Sequence, residues 1–428
     1  MVKSGDMKIR ELLRQSFLLS AVIFMSSALL GSSVLPGSDR TERVRTFTRQ
    51  NEFEFVAWIV DALRMKLFAD ALGASNYMTE DSRRQIVLDY LGIVSDIQRM
   101  EGQIEQVYAD PSVSNPSVVS VPLRSELSRL HSHRDRLKLI VESIFQNQIS
   151  EVVGNLGLTL GGQPLPPVLF NSTPLPLALI VSPRDIIRQD ESIALFPDMS
   201  VNQQVALEAN VDQALDVSSL VVPIGGLGVY PTMVTQTSNL EWLTEVVAHE
   251  WVHNFLQLRP LGLNYLTSPE LRTMNETVAS IAGKEIGRAV LERYYPELLP
   301  PPSPPTDSNP QDPSEPWEFD FRKEMHLTRV NVDRILKEGK VEAAEDYMED
   351  RRRIFWENGY RGLRKLNQAY FAFHGAYADE ALSAAGEDPV GKAVRELRAS
   401  SPSLASFLNR ISWMYSFDQL QRAVASIK

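Results

Sequence analysis

Cysteine is absent from this chain of 428 residues. Disulfides and thiolate metal ligands are therefore excluded, although the absence says little about compartment. Positive charge is in short supply. Lys and Arg number 43 against 54 Asp and Glu, a formal net charge of −11, and this argues against a nucleic-acid partner. Histidine is scarce, at six residues, so the placement of each carries weight. No internal repeat is evident.

Long hydrophobic runs are nearly missing too. One charge-free stretch of 19 residues, Phe17 to Leu35, follows Lys3, Lys8, Arg10 and Arg14. Such a length can just span a bilayer. Residues 1–38 are therefore expected to be a single-pass membrane anchor. A cleaved signal peptide with its core near Leu18 to Leu30 is the alternative, and it would give a secreted protein, but no Ala-x-Ala site is present. Arg40, Arg43, Arg45 and Arg49 balance the cations in front, so charge alone does not orient the segment. A basic stretch ahead of a single hydrophobic segment places the main domain on the extracytoplasmic side.

The length suggests two or three structural units. Residues 41–150 read as helical. Glu52 to Leu72 is amphipathic, suited to a core or a membrane surface. Arg83 to Tyr108 and Leu123 to Asn147 form an expected antiparallel hairpin, with His131 and His133 on its surface. Residues 151–295 hold β-rich runs at Leu177–Val181, Ile193–Phe196 and Leu220–Ile224, followed by helical patterns. Nine prolines between Pro296 and Pro316 mark residues 296–318 as a linker. Residues 319–428 read as helices at Phe321–Lys337, Val341–Asn358, Arg361–Tyr377, Pro389–Ser400 and Leu404–Ile427. The expected class is α+β, mostly α.

The motif that carries chemistry is His249-Glu250-Trp251-Val252-His253. Two histidines four apart on a helix share a face and can offer two imidazoles to one zinc ion. Glu250 projects about 100° away around the helix, poorly placed as a ligand but well placed as a base. With six histidines the pattern arises by chance only about 0.005 times in a chain this size, which makes the match specific. Ser238 and Glu241 read as a capping box, and Leu240, Leu243, Val246 and Val247 give an apolar stripe into the motif. The competing reading is a buried helix whose histidines are satisfied by hydrogen bonds.

Catalytic zinc usually takes three protein ligands and keeps one position open. Without cysteine the third must be His, Asp or Glu. Glu276 is the best candidate, at the beginning of a second helical pattern through Val278, Ile281, Ala282, Ile286 and Val290. The intervening Arg259-Pro260-Leu261-Gly262 and Thr267-Ser268-Pro269 read as a loop.

His-Glu-x-x-His followed by Asn275-Glu276-Thr277-Val278-Ala279-Ser280 resembles the gluzincin metallopeptidases over roughly residues 220–290. The resemblance implies a zincin-like core, with a small sheet, the motif helix and a glutamate helix, flanked by the N-terminal hairpin and a C-terminal helical region closing the active site. It implies Zn2+ on His249, His253 and Glu276, and Glu250 as general base. A fainter likeness to a bacterial family of putative aminopeptidases runs from Tyr347 through Arg351-Arg352-Arg353 to Asn367-Gln368-Ala369 and Tyr377.

Two positions depart from the pattern. Ser280 stands where thermolysin-like members carry the Asp that orients a zinc-binding histidine. Gly225-Gly226-Leu227-Gly228 lacks the acid with which aminopeptidases of this clan grip an amino terminus. The glycines let a strand approach a ligand closely or pair with an extended peptide; a plain turn or bulge is the other reading.

The expected activity is peptide-bond hydrolysis on a peptide or protein substrate. An oxyanion donor is also needed. Tyr370, His374 and Tyr377 are candidates that one helix face presents together, His326 a fourth, although aromatic stripes at this spacing more often belong to a core. Rival expectations are a non-catalytic membrane-anchored scaffold and a zinc hydrolase of a non-peptide substrate.

Overall fold

The computed structural model describes residues 39–72, 77–109, 115–160, 162–299, 319–360, 362–375 and 388–426. The described chain is mostly helical with small sheets. Helices α1 (Asp39–Thr48) and α2 (Phe55–Leu72) come first. They are followed by the long pair α3 (Glu80–Ala109) and α4 (Val121–Asn155), which pack along one another. The α/β segment then contains β1 (Phe170–Ser172), β2 (Leu177–Pro183), β3 (Glu191–Leu195), α5 (Val201–Leu215), β4 (Val217–Pro223), β5 (Gly226–Leu227) and β6 (Thr232–Val234). The motif helix α6 (Leu240–Gln257) and the glutamate helix α7 (Pro269–Tyr294) close this part. Beyond the proline-rich stretch lie α8 (Phe321–Lys337), α9 (Val341–Glu357), α10 (Gln368–His374), α11 (Pro389–Ser400), α12 (Leu404–Ile411) and α13 (Phe417–Ala425).

The expected strand runs do form one antiparallel sheet, in the order β3-β2-β4. Alternation along β2 divides its faces. Leu179 and Val181 pack with α1 and α5, while Ala178 and Ile180 pack with Ala369 of α10. A second small sheet runs β1-β6-β5, with β1 parallel and β5 antiparallel to β6. Side chains of α4 anchor it. Gln146 Oε1 accepts from the Phe170 amide at 3.2 Å, and Glu142 Oε1 from the Ser172 amide at 2.7 Å. Among the described residues β5 pairs on one side only, so it is a sheet edge.

Helices α6 and α7 pack together along most of their length in an apolar core that also draws on α3, α4 and α11–α13. Small residues permit a close approach. A β-carbon on Gly287 would lie 2.9 Å from the Glu245 nitrogen and 3.0 Å from its Cα; one on Gly283 would lie 3.0 Å from the Glu245 carbonyl oxygen. These neighbours are helix backbone and cannot rotate away, so larger residues here would drive the two helices apart.

Three expectations need correction. Among the described residues no helix is long and apolar enough to cross a membrane. Even the apolar α2 carries Asp61, Arg64, Lys66 and Asp70 within its 18 residues, too many charges for a bilayer core. The single-pass anchor, and the extracytoplasmic placement built on it, are therefore not supported; the run Phe17–Leu35 lies outside the described residues. Second, Arg361–Tyr377 is not one helix. Residues 362–367 form no helix because their side chains reach other elements: Arg364 pairs with Glu208, Lys365 with Asp212 at 2.8 Å, and Asn367 Nδ2 donates to the Ser219 carbonyl at 3.0 Å. Asn367 then caps α10 by accepting from the Tyr370 amide. Third, Leu404–Ile427 is broken between α12 and α13, where the Ser412 carbonyl accepts from the Leu261 amide and Ser416 starts a new helix as its cap.

The helix contact yields a paired prediction. Gly287→Ala is expected to lower unfolding free energy by about 1–3 kcal/mol through overpacking. Gly102→Ala, in α3 with nothing within 4 Å of its added carbon, is expected to raise it by about 0.5–1 kcal/mol. Denaturant unfolding of both variants checks this; equal effects would refute the close-approach reading.

Candidate metal centre

The motif helix starts one residue later than its sequence suggests. Asn239, not Ser238, is the cap: its side chain accepts from the Trp242 amide at 2.9 Å, while Ser238 Oγ donates to Gln98. Below the cap, Leu243, Val247, Trp251 and Phe255 enter the core, and Trp251 Nε1 donates to the Pro166 carbonyl at 2.8 Å. That anchoring sets the rotation of α6 and turns His249 and His253 toward α7. Their rings lie 4.7 Å apart at 77°, and their Nε2 atoms are 3.0 Å apart.

Helix α7 supplies the third group. Ser268 caps it by accepting from the Leu271 amide, and Pro269 opens its first turn. Glu276 then lies two turns in, with Oε2 at 3.6 Å from His249 Nε2 and 3.5 Å from His253 Nε2. Among the described residues His249, His253 and Glu276 form the group able to hold a metal ion. Tetrahedral ligands at about 2.0–2.1 Å from a metal stand about 3.3–3.4 Å from each other, and the three separations bracket that value. Glu276 Oε2 is buried and makes no hydrogen bond. The imidazoles are its ion-pair partners without being hydrogen-bonded to it, and a bound cation would compensate the buried carboxylate more closely. The donor set and its spacing therefore fit a metal.

Neighbouring polar groups set the ligands' protonation and orientation. Asn275 Oδ1 lies 2.8 Å from His253 Nδ1. An amide oxygen only accepts, so Nδ1 carries the proton and Nε2 of the neutral ring keeps its lone pair for a metal. Tyr265 donates its hydroxyl to Glu276 Oε1. Ser280 is buried in α7 and brings no carboxylate to the group.

The electrostatics are those of a tight, largely buried cluster. Burial works against charge on His253, yet the Glu276 charge beside it prevails and pushes its pKa up to about 9. Burial likewise works against ionised Glu276, but above all the His253 charge holds its carboxyl well below the usual range. Burial and Glu276 push the Tyr265 hydroxyl upward. Glu250 has the opposite fate from Glu276: burial dominates and raises its pKa, which moves a carboxylate toward the range of a general base.

Glu250 also lies directly beneath β5. A β-carbon on Gly226 would fall 2.3 Å from Glu250 Oε1, and one on Gly228 would fall 3.1 Å from His253 Cβ. Glycine is therefore what lets this backbone run across Glu250 and His253.

Of the remaining candidates, Tyr370 and His374 lie on α10 with rings 4.3 Å apart. Burial pushes Tyr370 up to about 12 and His374 down to about 4, so both are neutral near pH 7. Their other ring contacts are with Phe371 and Phe373, and Tyr370 and Phe373 also pack against the first sheet. The Ala372 carbonyl of α10 accepts from Arg272 Nη1 at 3.0 Å, which ties this helix to α7 one turn before Glu276. Tyr377 lies outside the described residues. His326, on α8, and His131 and His133 do not join the metal group. Sequence reasoning missed Tyr265 and the role of Asn275. The only local signal was a polar residue, Asn275, directly before Glu276.

Comparison with protein-family models, with curated proteins and with solved structures finds no match.

Proton linkage gives a direct test. In the metal-free protein the raised His253 pKa contributes stability that is fully present below its unfolded value of about 6.5 and is lost as pH rises through about 9. The depressed Glu276 pKa acts in the other direction: its contribution is present above its ordinary range and lost as pH falls through its folded value. A metal must displace the His253 proton. Loading a divalent transition-metal ion near pH 7.5 is therefore expected to release about one proton, with affinity rising about tenfold per pH unit below pH 9. Calorimetry in buffers of different ionisation enthalpy measures the release; zero release would contradict the paired cluster.

Proposed function

We propose that this chain is a zinc-dependent metallopeptidase of gluzincin type, built on a zincin-like core. The observation that carries the reading is the buried, unbonded Glu276 Oε2 facing two histidine Nε2 atoms, with a buried carboxylate of raised pKa on the same helix as those histidines. Two imidazoles and one carboxylate are a donor set suited to zinc, and three protein ligands leave a position open for reaction. Zinc held there supplies a positive charge that polarises a carbonyl oxygen and acidifies water.

The chain's own residues do the remainder. Glu250, already costly to ionise in its buried position, accepts the proton of the attacking water and returns it to the departing amine. The β5 edge above it, paired on one side only among the described residues, is open to an extended peptide, and Gly226 and Gly228 keep side chains out of the contact. No acid of β5 meets a free amino terminus, so the reading is a peptidase without assigned exopeptidase specificity. Tyr370, His374 or Tyr377 donates to the developing oxyanion.

A second reading has one observation in its favour. Protonated His253 and ionised Glu276 partly satisfy each other without a metal, which suits a non-catalytic helical scaffold. Metal analysis of the purified chain separates the two: stoichiometric zinc favours the enzyme, its absence the scaffold.

Glu250→Gln is expected to retain zinc and lose activity by about 10²–10⁴-fold. Cleavage of an unstructured protein, of blocked peptides and of free-amine peptides, with zinc content measured on the same samples, tests it. Full activity in the variant would sink the mechanism.

A further inference from the structure

We propose that Tyr265 is a positioning residue that restricts Glu276 to one ligating oxygen and so keeps a coordination position open. The inference rests on the metal reading above. A carboxylate can present one oxygen or both to a metal. With His249 and His253 in place, a two-oxygen Glu276 would fill all four positions of a tetrahedral ion and leave none for a reactant. The two oxygens are treated differently. Oε2 faces both imidazoles and makes no hydrogen bond, whereas Oε1 accepts the Tyr265 hydroxyl. That bond fixes the rotation of the carboxylate and occupies the oxygen that would otherwise compete.

Tyr265 is itself held from several directions. Its amide donates to the Gly262 carbonyl at 3.1 Å. The preceding Asn264 is pinned by its side-chain bond to the Pro260 carbonyl at 2.8 Å and by Thr267 Oγ1 on its carbonyl at 2.8 Å. The tyrosine ring stands edge-on to His253 at 6.3 Å and 90°. Arg272 lies beside the hydroxyl and ties it, through the Ala372 carbonyl, to the end of α10.

The burial order in this loop is also informative. Leu263 and Leu266 are 71% and 58% exposed, while the tyrosine between them is half-buried. Apolar side chains are usually the buried ones. Here a half-buried tyrosine reaches Glu276 with its hydroxyl while both leucines face outward.

The test uses the full chain with zinc and with cobalt(II) as probes. Tyr265→Phe removes one oxygen atom and is expected to keep the far-UV circular dichroism of the parent. Its zinc dissociation constant, by chelator competition, is expected to rise ten- to hundredfold, the usual effect of losing a group that orients a ligand. Its cobalt(II) visible spectrum is expected to change as the second carboxylate oxygen takes the position that was open. Unchanged zinc affinity together with an unchanged cobalt spectrum would overturn the proposal. X-ray absorption of the zinc-loaded parent gives a check independent of the variant's folding: one short carboxylate oxygen supports the proposal, and two overturn it. A parent that binds no zinc overturns the metal reading along with this one. A parent that binds zinc beside an indifferent Tyr265→Phe overturns this one alone.

Discussion

Glu276, buried against two imidazoles, is the group on which the rest of the site depends. A carboxylate carried into the interior is stable only when opposite charge lies within a few ångströms. His253 provides that charge in the metal-free protein, and a bound cation would provide it more strongly. Both solutions demand that α6 and α7 come closer than ordinary helices with large side chains allow. Gly283 and Gly287 meet that demand, since each lies against the backbone of α6. Val247, Trp251, Val278 and Ile286 lock the helices' rotation by burial. The packing core and the polar cluster are thus two consequences of one contact between helices.

The same contact explains why neighbouring carboxylates diverge. Glu250 and Glu276 are both buried. Glu276 has the histidine charge directly before it and stays ionised, whereas Glu250 looks toward the glycines of β5 and feels mainly desolvation. Two carboxylates with opposite shifts in one cluster suit different tasks, one as a ligand and one as a base. The β5 edge completes the division by covering Glu250 with backbone rather than side chain.

Much of this was legible in the chain. The spacing of His249 and His253 required a shared helix face, and apolar periodicity placed both helices and the strands β2, β3 and β4 close to their observed bounds. Other features were misread because local pattern was overruled by partners far away in sequence. Residues 362–367 have helical-looking composition, yet Arg364, Lys365 and Asn367 are drawn out by α5 and β4. Ser238 fits a capping box, yet the Asn239 side chain reaches the Trp242 amide first. The uncharged run Phe17–Leu35 suggested a membrane span, while no described helix has the length and apolarity for one.

What the sequence determined by itself is the chemistry on offer: two imidazoles one turn apart, a glutamate beside the first, a second glutamate on a later helix, and no thiol. Those are properties of residue type and helical period, and they need no third dimension. The packing of the fold set which oxygen of Glu276 meets the histidines, that Asn275 supports His253, and that Tyr265 holds Oε1. Each of these is a contact between elements, set by how closely and at what rotation two helices and a loop pack, and no periodicity along the chain encodes such a distance.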